Sequence, residues 1–149
     1  METVTPSGLS SVAEGEWEEF ELAVDSGASG TVIGEDMLQS VEVRDGPASR
    51  RGVEYEVANG VRIPNVGEKK FIGVTSEGIS RRLTAQVWAV NKGLLSVSRV
   101  IKAGSKVIFD SDGSYIQDKR TGECMSLSER NGMFMLKMWT RNGGSNSGF

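Results

Sequence analysis

Asp25 lies within Phe-Glu-Leu-Ala-Val-Asp-Ser-Gly-Ala-Ser-Gly-Thr-Val-Ile, residues 20–33, where an Asp-Ser-Gly-Ala turn separates two apolar, β-prone runs. An acid at the end of a half-buried strand is costly to ionise unless its surroundings are built for it. Small residues after it let backbone groups approach the carboxylate. Asp25 with Ser26, Gly27 and Ala28 is therefore the candidate active-site loop. The chain has no histidine, which removes Ser-His-Asp and Cys-His catalysis, His-ligated zinc and imidazole proton transfer together. Any proton transfer falls to carboxylates.

The other chemistry-bearing residues read more plainly. Cys124 is the only cysteine, so a disulfide within the chain or a cysteine metal cluster is unavailable, and a structural role with no metal and no cofactor is expected. Asp110-Ser111-Asp112-Gly113 is the one rival for a second acid in the chain, and its Asp-Gly between apolar runs reads as a hairpin turn. The glycines of residues 27–34 lack the Lys-Ser/Thr of a phosphate loop and the dinucleotide-binding spacing. Net charge is −3, from 17 basic and 20 acidic residues, and no basic stripe with interleaved aromatics offers a nucleic-acid surface. Arg50-Arg51 and Arg81-Arg82 read as solvated pairs. Met133, Met135 and Met138 with Phe134 and Trp139 read as core or dimer contacts. Arg99 either braces the loop through an acid or sits exposed on a helix.

The elements that must position Asp25 are mostly β. At 149 residues and 38% hydrophobic content the chain suits one globular domain. Small polar and acidic residues at 1–16 and a Gly/Ser-rich stretch at 141–149 read as flexible tails, leaving a domain over 17–140. Phe20, Leu22 and Val24 alternate with polar neighbours and deliver Asp25 at a strand's end; a second strand starts at Thr31. Val53, Tyr55 and Val57 lead to Asn59-Gly60, with Val61 and Ile63 beyond, a hairpin with type I′ turn chemistry and the candidate flap. Pro64 marks an edge or bulge. Strands over 70–75 and 79–90 flank a turn at Ser76-Glu77-Gly78. Leu94, Leu95 and Ser96 end a buried strand that runs into one short helix, with Ser96 or Ser98 as cap, Val97, Val100 and Ile101 on one face, and Gly104 past its end. A four-stranded meander over 106–139 closes the domain, its turns at Asp112-Gly113, Thr121-Gly122 and Asn131-Gly132.

This order, catalytic strand and loop, hairpin, then an apolar pair leading to a helix, resembles the retropepsin family of aspartic proteases over residues 17–104. Val24-Asp25-Ser26-Gly27-Ala28-Ser29, then Leu94-Leu95-Ser96-Val97-Ser98, then Val107-Ile108-Phe109-Asp110-Ser111-Asp112-Gly113 resemble more closely the protease region of copia-type LTR-retrotransposon Gag-Pol polyproteins. Thr121-Gly122-Glu123 and Arg130-Asn131-Gly132-Met133-Phe134 continue the likeness. Ser96 departs from retroviral enzymes, which carry Gly there.

The resemblance implies a mostly-β, closed retropepsin-like (acid protease) barrel with one lobe per chain. It implies an aspartic endopeptidase whose dyad is Asp25 and its mate in a homodimer, since the chain holds one such loop. By the same resemblance Ser26 bonds across the dimer, Gly27 offers backbone to substrate, Ala28 packs the loop, and Leu94, Leu95 and Ser96 support it. The expected partners are a second copy and a peptide or polyprotein substrate, without direct nucleic-acid or membrane contact. The expected place is cytoplasmic, including virus-like particles. Two other readings stand beside it: a catalytically silent all-β interaction domain, and a cellular retropepsin acting on host substrates.

Overall fold

A computed structural model describes residues 17–56 and 59–141. The tail expected at 1–16, most of that expected at 141–149, and Val57 of the expected hairpin lie outside the described residues. The first half holds β1 (Trp17–Asp25), β2 (Val32–Gly34), α1 (Pro47–Arg50), β3 (Glu54–Glu56), β4 (Arg62–Thr75) and β5 (Ser80–Trp88). The second holds β6 (Leu94–Ser96), α2 (Val97–Lys102), β7 (Ser105–Ile108), β8 (Ser114–Asp118), β9 (Cys124–Arg130) and β10 (Met133–Arg141).

The protein is mostly β, with its strands in one sheet ordered β3-β4-β5-β2-β6-β1-β10-β9-β8-β7. β10 also pairs with β4 through Met138↔Thr75 and Trp139↔Val74, so the pairing path from β4 through β5, β2, β6, β1 and β10 returns to β4. Period-two alternation sorts side chains between the faces. Phe20 and Leu22 of β1 meet Ile33, Phe71, Leu95 and Met138 in the main core, and Phe20 and Phe71 cross edge to face at 5.5 Å between ring centroids. Each such fully buried side chain contributes about 1.5–3 kcal/mol of transfer free energy.

Several expectations are corrected. The described residues hold two short helices, not one: α1 opens with Pro47, whose fixed φ suits a first helical turn. Ile101 is 54% exposed, because of the apolar side chains on α2 only Val97 and Val100 turn partly inward. Arg81 is half-buried and bonds Asp118 at 3.1 Å and Glu123 at 3.2 Å, so it is no simple solvated residue. Cys124 is exposed at the start of β9, away from any core role. The segments around Ile63 and Phe71 join into one strand of 14 residues, β4, with a bulge between Asn65 and Gly67. Pro64 sits beside that bulge and faces the outermost strand β3, where its missing N–H breaks no inner ladder. Met138 and Trp139 are core, Met135 is partly buried and Met133 is 49% exposed. Arg141 extends β10 by pairing with Trp17.

One buried charge props the segment after β2. Lys69 is 5% exposed, and its Nζ donates to the carbonyls of Met37 at 3.0 Å and Leu38 at 2.9 Å. Leu38 itself is buried at φ 55°. Glu18 holds the same segment by accepting from the N–H groups of Gln39 and Ser40 and from the Ser40 hydroxyl.

Candidate active site

β1 and β2 follow each other in sequence but are not neighbours in the sheet: β6 lies between them, parallel to β1 and antiparallel to β2. The register Ala23↔Leu94, Val24↔Leu95, Asp25↔Ser96 puts the end of β6 directly beside the candidate acid. Gly93 makes this approach possible. Its carbonyl accepts from Ala23 N–H at 2.9 Å, and a Cβ there would meet Leu22 at 2.7 Å.

The loop is organised around Asp25. Gly27 N–H donates to Asp25 Oδ1 at 2.8 Å, and a Cβ on Gly27 would lie 3.4 Å from the same oxygen. Asp25 is half-buried, while Ser26 and Gly27 are exposed. The Ser26 hydroxyl has no hydrogen-bond partner among the described residues. Ala28 is partly buried, and its carbonyl accepts from Ser96 Oγ at 2.7 Å.

Ser96 is 0% exposed and joins three pieces. Its hydroxyl bonds Ala28 O, accepts from Arg99 N–H at 3.2 Å as the N-cap of α2, and its N–H donates to Thr31 Oγ1 at 3.2 Å. The side chain that departs from the retroviral pattern is therefore the fastening between loop and helix. Thr31 is buried, and reading the sequence as strand start missed its role as the second fastening point.

The face of β1 that carries Asp25 also carries Ala23 by alternation. There a second apolar cluster forms from Ala23, Val32, Trp88 and Leu94, with Tyr55 and Ile63 of the β3–β4 hairpin packed against it. The Tyr55 and Trp88 ring centroids are 5.2 Å apart. So the hairpin is anchored to the sheet on the Asp25 face.

Among the described residues the last pair of this hairpin is Glu56↔Arg62, and residues 57 and 58 lie outside them. At the expected tip Asn59 Oδ1 accepts from Val61 N–H at 3.0 Å and Gly60 takes φ 85°. A second Asn-Gly pair, Asn131-Gly132, forms a two-residue turn at φ 54° and 80° between the paired Arg130 and Met133.

Leu94 and Leu95 are buried on opposite faces, Leu94 in the Asp25-side cluster and Leu95 in the main core. Asp110 and Asp112 lie in the β7–β8 turn, where Gly113 N–H donates to Asp110 O, and β10, β9 and β8 separate that margin from β1. Arg99 is exposed and makes no ion pair among the described residues. No group of His, Cys, Asp and Glu among the described residues is arranged to hold a metal ion. Beside the site, Glu21 accepts from Arg130 at 2.6 Å, and this bond, with the guanidinium's charge and against a smaller desolvation effect, holds the Glu21 carboxyl below its ordinary value.

Comparison of the chain with descriptions of protein families, with curated proteins and with solved structures finds no match. No helix among the described residues is long and apolar enough to cross a membrane.

Proposed function

We propose that the chain is a retropepsin-like aspartic endopeptidase, active as a homodimer, that processes the Gag-Pol precursor of a copia-type LTR retrotransposon. The observation that carries this reading is the Asp25 loop itself: a half-buried carboxylate at a strand's end, approached by Gly27 N–H and held from beneath by Ser96. The return of the pairing path to β4 favours a closed barrel, as the family reading requires.

In the proposed reaction two Asp25 carboxyls share one proton and hold one water. The ionised member takes a proton from the water as its oxygen bonds the scissile carbonyl carbon. The protonated member gives its proton to the carbonyl oxygen. As the tetrahedral diol collapses, the C–N bond breaks, the amine nitrogen takes one proton, and the dyad again holds one. The unpartnered Ser26 hydroxyl is placed in this scheme against the partner loop. The half-buried hairpin side chains Tyr55 and Ile63, packed over Val32, Leu94 and Trp88, supply apolar surface on the acid's face, which favours displacement of water from a bound peptide.

Asp25→Asn removes the shareable proton with little change of volume. Turnover of a peptide substrate is expected to fall by on the order of 10⁴-fold with fold and assembly intact. Retained turnover in a verified preparation rejects the assignment.

A further inference from the structure

Phe109 is the only exposed aromatic side chain among the described residues, at 49%. It follows β7, and along the sheet β8, β9 and β10 lie between β7 and β1. Its ring nevertheless stacks on that of Phe134 in β10, with centroids 4.7 Å apart. Phe134 precedes Met135, the partner of Ala23, so the same register sets it opposite Val24, the residue before Asp25. Val24 and Phe134 are both only partly buried. An apolar patch thus leads from the Asp25 end of β1 across β10 to Phe109. On the other side of β1, Ser96 pairs with Asp25 and α2 begins at the next residue, carrying Ile101 at 54% exposure. α2 packs against β7, so the helix and the aromatic pair border one surface.

The charges around this surface are sorted by sign. Asp110 and Asp112 in the β7–β8 turn are exposed, as is Glu129, the partner of Phe134 in the β9–β10 ladder. Arg99 and Lys102 are exposed on α2. None of the five makes an ion pair among the described residues. A partner of one sign would satisfy half of these charges and oppose the other half. A second copy satisfies both, because a two-fold axis sets the acids of each chain against the bases of the other. Area points the same way: a stable interface takes about 20–30 residues a side, far more than the exposed Ser26, Gly27 and Ser29 of the Asp25 loop supply.

We propose that two copies of the chain pack these patches together about a two-fold axis, Phe109 and Phe134 of each against those of the other, with Arg99 and Lys102 of each facing the acids of its partner. The aromatic pair supplies the desolvated centre of the interface. The flanking charges fix its register and reject other partners. The inference names the surface of the homodimer and rests on the proposed function for the need to bring two Asp25 loops together; the association itself is measured without any cleavage.

Sedimentation of the full chain over about 1–100 µM is the test. A reversible monomer–dimer equilibrium is expected, weakened at least about ten-fold by Phe109→Ser. A chain carrying Arg99→Glu with Lys102→Glu, and another carrying Asp110→Lys with Asp112→Lys, should each self-associate at least about ten-fold more weakly, while their equimolar mixture forms heterodimers with most of the lost affinity restored. Restoration on mixing requires folded chains, so it separates lost contacts from lost fold. A chain that stays monomeric throughout overturns the proposal and leaves the patch to a different protein. A dimer indifferent to Phe109→Ser, or a mixture that associates no better than its components, overturns it as well. A dimer that obeys the charge exchange but cleaves no peptide supports this surface and rejects the protease; cleavage by a dimer that ignores the exchange does the reverse.

Discussion

Ser96 combines two tasks in one hydroxyl, donating to the carbonyl of Ala28 in the Asp25 loop and capping the helix that follows. Ser96→Ala removes both and leaves the part-buried Ala28 carbonyl without its donor. A lost cap costs about 0.5–2 kcal/mol and an orphaned buried acceptor about 1–3 kcal/mol. The expected loss is about 2 kcal/mol in urea unfolding, because the two effects share one atom and do not add fully. Under the proposed function turnover should fall further than the folded fraction does, since the loop backbone at Ala28 is released. Unaltered stability would show that another group takes over the bond. Gly at this position would also lose the hydroxyl, which is why the retroviral residue does not fit this chain's loop without rearrangement.

At the scale of elements, the hairpin and the strand carrying Asp25 answer to different perturbations. Gly60 takes φ 85°, and a Cβ added there would have nothing within 4 Å, so Gly60→Val meets backbone strain and no clash. The cost is about 1–2 kcal/mol, spent locally at the tip. If this hairpin closes over substrate, turnover falls while the global melting temperature moves little; unchanged kinetics would place the flap elsewhere. Glu21, on β1, is tied to Arg130 at the end of β9. Its folded pKa lies below its ordinary value of 4.5, so the pair's contribution to stability is complete above that value and is lost as pH falls through the lower folded one. Glu77 acts in the same direction: burial raises its pKa, but hydrogen bonds from the N–H and hydroxyl of Ser126, the Thr75 hydroxyl and its own N–H together outweigh burial. Unfolding followed from about pH 6 to about pH 3 should therefore show stability falling on the acid side, less steeply in Arg130→Ala. An identical slope in that variant would remove Glu21 from the account.

The whole molecule places one Asp-Ser-Gly loop in one sheet, with the rival acids Asp110 and Asp112 at a distant margin. Under the proposed function, a dyad then requires a second chain. Specific activity should fall on dilution as dimers dissociate, and excess Asp25→Asn chains should suppress the wild type by forming heterodimers with one competent carboxyl. A monomer shown by sedimentation to cleave at full specific activity would require a second acid from the same chain. Under the proposed function, acid-side loss of activity must be separated from unfolding, because the ties of Glu21 and Glu77 stabilise the fold less as pH falls.

Local patterns in the sequence determined most strand positions and the order of elements, and marked Asp25 as the candidate acid, because alternation, turn residues and an acid between small residues act over a few positions. A serine cap on the helix was equally legible, but only the structure chose Ser96 over Ser98. What the chain alone did not reveal depends on contacts between segments far apart in sequence. The insertion of β6 between β1 and β2, the bond from Ser96 to Ala28 across 68 residues, and the burial of Lys69 against Met37 and Leu38 are of this kind. The Asn131-Gly132 dipeptide shows the boundary most clearly. Its residue types permit a tight turn, and the pairing of Arg130 with Met133, a register set by the flanking strands and hence by tertiary structure, makes it one.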